Sequence, residues 1–231
     1  MLVENNSCWL SKFEECFYSG RLLTKLLSIN NTIPNKIDIT EVKKAIYYAR
    51  KYHGEQKRQS GEPYYSHPIE VAYMVGGYLP KTDIIITSIL HDTLEDTELS
   101  FELIEMNFGS LVAHQVLDLT RTSGSDGHRI SAAETVRYLL ENKKYELLLI
   151  KQFDRLHNMQ TLGVKSPEEI RKIVKETIEG FLIAAIFLEI PVLQKDLIKL
   201  CYQNLSIKPP SGYDSYLNDF QDNFQPLALA F

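Results

Sequence analysis

The sequence predicts an all-α protein, and three observations carry that expectation. Apolar residues recur at helical spacing along most of the chain, while the strict alternation of a half-buried strand is nearly absent. Two capping boxes, Ser131-Ala132-Ala133-Glu134 and Ser166-Pro167-Glu168-Glu169, each open such a periodic run. Gly54 and Gly109 stand where periodic runs stop, as helix-ending glycines do. The chain has 231 residues and is 44% hydrophobic, enough for a packed core. The expected organisation is a single helical-bundle domain over residues 37–205, with an N-terminal helical extension over 1–36 and a C-terminal tail over 206–231.

Trp9 to Ile29 carries Leu10, Phe13, Phe17, Leu22, Leu23, Leu26 and Leu27 as one helical stripe, followed by a connector at Asn30, Asn31, Pro34 and Asn35. The next helix starts at Asp38 or Thr40, runs to His53 and turns Val42, Ala45, Ile46 and Ala49 inward. A polar loop with the Lys57-Arg58 pair leads to Ser66, placed to cap a helix with Pro68 in its first turn. Thr82 is placed to cap the next helix, which continues through Thr97. Ser100 to Gly109 and Ser110 to Thr120 read as two further helices. The Gly- and Ser-rich stretch Arg121 to Arg129 reads as a mobile loop. Beyond it are expected a helix to Asn142, a helix around Leu147–Met159 with apolar residues on most sides, a long helix from Pro167 to Leu188, and a last one from Leu193 to Leu205.

A net charge of −5 gives no footprint for nucleic acid, so a phosphate-bearing ligand must be met by local cations or a metal. The run Phe181 to Leu193, broken by Glu189 and Pro191, is too short to span a bilayer and reads as a core helix. Cys8, Cys16 and Cys201 lack metal spacing and read as reduced thiols. Residues 1–7 have no basic n-region. A cytoplasmic protein without membrane or nucleic-acid partners is expected.

The chemistry concentrates in Ser88 to Thr97. On one continuous helix His91, Asp92, Glu95 and Asp96 would share a face, within an arc of about 140°. Four such groups pointing together need a positive charge among them. Downstream, Asp154 and Asn158 are neighbours at i and i+4 on the most apolar helix. Its carboxylate also needs a cation, and Arg155 points about 100° away. Taken singly, His67 before Pro68 reads as a helix-capping residue, His91-Asp92 as a surface pair and Arg58 as a solvated charge. Together, His67, His91, Asp92 and Asp154 make a mixed nitrogen and oxygen ligand set. It suits manganese, with iron(II) or zinc as alternatives. Glu95 and Asp96 are then suited to orient a water and handle its proton.

The segments HGEQKRQSGEPYYSHPIEVA (53–72), ILHDTLEDT (89–97), FG (108–109), IKQFDRLHNMQTL (150–162) and KETIEGFLIAAIFLEIP (175–191) follow in consistent order and spacing. Through them the chain resembles the hydrolase domain of the RelA/SpoT homologues, in the HD superfamily of metal-dependent phosphohydrolases. The resemblance implies an all-helical HD domain that removes pyrophosphate from the ribose 3′ position of ppGpp and pppGpp with manganese. It implies metal ligation by His67, His91, Asp92 and Asp154, and water activation by Glu95 and Asp96. It also implies nucleotide binding by Arg58, Ser60 and Asn158. This chain departs from the pattern at Gln59, where many relatives have Lys, and at Gln152-Phe153, where Leu-Ala is usual. Hydrolysis without synthesis is expected, since long relatives continue into a synthetase domain. The alternatives are a phosphatase for another nucleotide such as NADPH, and an alarmone-binding module whose catalysis has lapsed.

Overall fold

The computed structural model describes residues 9–120, 122–123 and 128–208. The chain packs as two compact units, Met1–Gly124 and Ser125–Phe231. The described residues are overwhelmingly helical, so the protein is all-α. The expected single domain over residues 37–205 is thus distributed over both units. The expected tail lies almost wholly outside the described residues, as does Cys8.

In the first unit the helices are α1 (Phe17–Asn30), α2 (Ile39–His53), α3 (Ser66–Val75), α4 (Thr82–Leu90), α5 (Thr93–Asp96), α6 (Phe101–Phe108) and α7 (Ser110–Leu119). The centre is α4, packed against α2, α3 and α7. Every residue from Ile84 to Leu90 is buried, so α4 is enclosed on all sides instead of presenting one polar face. Its Lys81 N-cap makes no side-chain capping bond. Thr82 Oγ1, expected to cap it, accepts from the Asp38 backbone N–H at 2.9 Å instead. Asp38 in turn caps α2 by accepting from Thr40 N–H and Glu41 N–H.

The N-terminal stripe does not form one helix. A short 3-10 turn, Leu10–Lys12, precedes α1, and the chain between them is extended. Only part of the stripe faces inward: Leu22, Leu23 and Leu26 are buried, while Phe17 is 72% and Leu27 53% exposed. Those three leucines share one core cluster with Ile46, Ile69, Ile85 and Ile89. The Arg21–Glu70 ion pair at 2.7 Å and the bond from Lys25 Nζ to the Tyr73 carbonyl tie α1 to α3. Of the segment expected as an extension, α1 is therefore packed into the core of the first unit.

Ser66 is the first residue of α3 and not its cap; the N-cap is Tyr65, with no side-chain bond. In the stretch read as a mobile loop, Thr122–Ser123 and His128–Arg129 form two-residue strands, and the rest lies outside the described residues.

The second unit comprises α8 (Ala132–Glu141), α9 (Tyr145–Gln160), α10 (Pro167–Glu176), α11 (Leu182–Phe187) and α12 (Pro191–Asn204). Both capping boxes form as read, at Ser131/Glu134 and Ser166/Glu169. The central helix is α9, buried from Leu147 to Leu156 and packed by α8, α11 and α12. The expected long helix is interrupted by a π-helical turn, Thr177–Phe181. That turn sets the Phe181 ring under the Arg155 guanidinium, 4.1 Å from its centroid. The run read as a core helix is only half so, since Ile183, Ile186 and Phe187 are exposed.

Cys201 packs with Met159, Leu162 and Val174. Burial pushes its thiol up from 9.0 to about 11, with Arg155 opposing the shift. A folded-state value above the unfolded one means the contribution is fully present below pH 9 and is lost as pH rises through about 11. Denaturant titrations across that window should show wild type losing about 2 kcal/mol more than Cys201→Ala. Parallel curves for the two proteins would refute the shift.

Candidate active site

The site in the first unit is created by the way α4 ends. The last carbonyls of a helix lack intrahelical donors, and here side chains supply them. His91 Nδ1 bonds the Ser88 carbonyl at 2.8 Å, and Thr93 Oγ1 donates to the Leu90 carbonyl at 2.7 Å. The helix therefore breaks at His91-Asp92 and restarts as the single turn of α5. The continuous helix expected through Thr97 does not form, although His91 and Asp92 keep αR backbone angles.

Because Nδ1 of His91 donates to a carbonyl, the neutral ring presents Nε2 as a lone pair. That atom lies 2.9 Å from Asp92 Oδ1. His67 Nε2, brought in at the start of α3, lies 3.4 Å from Asp92 Oδ2. The two imidazole rings meet edge-on at 5.4 Å, and both are almost fully buried. Ligand atoms from His67, His91 and Asp92 all fall within 4.8 Å of one another. Two imidazole nitrogens converging on one carboxylate fit a divalent cation.

Glu95 and Asp96 follow on α5, with their backbone N–H groups both donating to the Asp92 carbonyl. Tyr64 OH donates to Asp96 Oδ2 at 2.6 Å. Burial, the Asp92 charge and the bond to Asp96 raise the Tyr64 phenol, which stays a donor. The segment read as a polar loop is a pinned hairpin-like turn. Arg58 N–H bonds the Glu62 carbonyl, Gly61 N–H the Arg58 carbonyl and Tyr64 N–H the Gln56 carbonyl. Gly54 and Gly61 hold positive φ at +51° and +92°, a conformation that glycine adopts without penalty. Arg58 is half-buried and close enough to Tyr64 to oppose the rise of its phenol. Ser60 is exposed at the turn. The sequence reading missed Tyr64. The signal was its place three residues before His67, which fixes it on the same turn.

Asp154 and Asn158 belong to the second unit. Asn158 Nδ2 donates to Asp154 Oδ1 at 2.6 Å, so the i, i+4 pairing holds. Asp154 Oδ2 is 2.8 Å from Lys151 Nζ, with both side chains buried. The sequence reading considered Arg155 and passed over Lys151 at i−3. Arg155 instead reaches Glu176 at 3.4 Å. Gln152, the departure noted above, is fully buried, and neither of its amide atoms has a hydrogen-bond partner.

These features define an all-helical protein with a buried histidine–aspartate pocket suited to a divalent cation. The chain belongs to the HD-domain family, whose pattern matches residues 45–182. It is 40% identical over 141 residues to the guanosine-3′,5′-bis(diphosphate) 3′-pyrophosphohydrolase of Aquifex aeolicus, covering 60% of this chain and 20% of that protein. It is 34% identical over 177 residues to the GTP pyrophosphokinase rsh of Brucella ovis, covering 74% and 24%. With the GTP pyrophosphokinase of Myxococcus xanthus it shares 36% over 173 residues, covering 72% and 23%. The chain thus spans about a fifth to a quarter of the length of these relatives. Among the described residues no helix is long and apolar enough to cross a membrane.

Two predictions concern α9. Lys151→Met leaves the Asp154 carboxylate buried without its cation and should cost about 3 kcal/mol in metal-free protein. Equal urea midpoints for variant and wild type would show the pair to be dispensable. Gln152→Leu removes a buried, unsatisfied amide and should stabilise by about 1–3 kcal/mol. A lowered melting temperature would mean the amide has a partner in solution.

Proposed function

We propose that this chain hydrolyses guanosine 3′,5′-bis(diphosphate), ppGpp or pppGpp, at the 3′-pyrophosphate, giving GDP or GTP and pyrophosphate. The observation that carries the reading is the convergence of His67, His91 and Asp92 directly before the Glu95-Asp96 pair. It occurs in a chain 40% identical, over the matched region, to a protein named for that reaction. His67, His91 and Asp92 would hold the metal, Asp154 is the further ligand proposed, and manganese is the ion such a mixed donor set would suit. When bound, the metal supplies positive charge to a phosphoryl oxygen and lowers the pKa of water.

The protein's own groups do the rest. Glu95 takes the proton of the attacking water, and Asp96 fixes that water's orientation by accepting a hydrogen bond. Attack falls on the phosphorus bonded to the ribose 3′ oxygen. The P–O3′ bond breaks, and O3′ leaves with its electron pair and takes up a proton. The Arg58 guanidinium pairs with phosphate or stacks on the base, while Ser60 and Asn158 contribute hydrogen bonds to the nucleotide.

The test is a turnover assay with manganese-loaded protein, offering ppGpp, pppGpp and NADPH separately and resolving the products by chromatography. Pyrophosphate and GDP should appear from ppGpp, and Glu95→Gln should lower kcat by at least about 100-fold while metal content stays at the wild-type level. Release of phosphate from NADPH alone would replace the proposed substrate. Binding of ppGpp without turnover would mark the chain as a sensor.

A further inference from the structure

Asp96 is exposed and sits on a single helical turn, so nothing in α5 itself restrains its side chain. Restraint comes from the hairpin turn. Tyr64 OH occupies Oδ2 of Asp96 at 2.6 Å, and Gln56 Nε2 donates to the Asp96 backbone carbonyl at 2.9 Å. These two residues are themselves joined through His53, the last residue of α2. The His53 ring stacks on Tyr64, with centroids 4.7 Å apart and planes 22° from parallel, and His53 Nδ1 meets Gln56 Oε1 at 2.9 Å.

The proton positions follow. Gln56 Nε2 is a donor, so Oε1 is an acceptor and His53 carries its proton on Nδ1. His53 Nε2 is then a lone-pair nitrogen, and it is buried without a hydrogen-bond partner. An unsatisfied buried acceptor is unfavourable, because it gives up its bond to water and gains none in exchange. A Leu or Phe at position 53 would avoid that cost but could not hold Gln56. The arrangement forms a closed circuit: Asp96 carboxylate, Tyr64, His53, Gln56, Asp96 carbonyl.

We propose that His53, Gln56 and Tyr64 are positioning residues that lock Asp96, with Tyr64 binding one carboxylate oxygen so that the other is presented to the reacting water. The inference deepens the hydrolase reading above and rests on it. It also gives the hairpin turn two duties, since the same turn carries Arg58 toward the nucleotide.

Tyr64→Phe tests this, because the ring that stacks on His53 is kept and only the hydroxyl is lost. Steady-state kinetics with ppGpp should show kcat lowered about tenfold or more. KM and manganese affinity should stay within about twofold of wild type, because neither substrate grip nor ligand geometry is touched. Gln56→Leu, which removes the bond to the Asp96 carbonyl and leaves the Tyr64 hydroxyl in place, should show the same split and guards against a folding defect in the first variant. Wild-type kcat in both variants would overturn the proposal. So would a fall in rate matched by a rise in KM or by lost metal, which would mean the circuit merely supports the pocket. The wild-type enzyme and Glu95→Gln run alongside separate the two readings. No pyrophosphate from wild type sinks the hydrolase assignment, whereas wild-type turnover with an unaffected Tyr64→Phe sinks the lock alone.

Discussion

The hydrogen bond between His91 Nδ1 and the Ser88 carbonyl is the constraint on which the site depends. It ends α4 where its carbonyls would otherwise be unsatisfied inside the core, and it fixes the tautomer that turns Nε2 toward Asp92. Both results come from one proton. The helix can be buried from Ile84 to Leu90 because the carbonyls at its end are met by side chains. Ser88 Oγ donates to the Ile84 carbonyl and Thr93 Oγ1 to the Leu90 carbonyl, and neither needs water. A short break then places Glu95 and Asp96 beyond the His67–His91–Asp92 cluster, on a turn that neighbours can adjust.

The hairpin turn after α2 complements this rigid end. Its backbone bonds from Arg58, Gly61 and Tyr64 make it a fixed arm instead of a solvated loop. Positive φ at Gly54 and Gly61 allows the chain to reverse within so few residues. Rigidity here matters because carboxylates that handle protons must be held to within a fraction of an ångström of a productive geometry.

Much of this was legible in the sequence. Helix ends marked by Asp38, Gly54, Ser100, Gly109, Ser131 and Ser166 follow from local chemistry, so local reading finds them. That His67, His91 and Asp92 come together was legible only from the motifs in combination, since each alone reads as a cap or a surface pair; in the fold their ligand atoms lie within 4.8 Å of one another. What escaped depends on contacts between residues distant in sequence or on rival local bonds. The break after Leu90 is invisible to periodicity, since His91 and Asp92 keep helical angles while the side chains of His91 and Thr93 take up the carbonyls. Thr82 has the right chemistry for a cap but gives its oxygen to Asp38, 44 residues away in the chain. The π-helical turn at Thr177–Phe181 has no sequence signature beyond the ring it slides beneath Arg155. Lys151 was overlooked because a lysine inside an apolar run reads as a solvated charge snorkelling outward. In the fold it is only 2% exposed.

That lysine gives the second unit an internal counter-ion. With Lys151 on one oxygen of Asp154 and Asn158 on the other, the carboxylate reaches electrical neutrality from its own helix. The charge buried on α9 is thus balanced within little more than one helical turn, so the core of this unit carries a carboxylate without carrying net charge at that point.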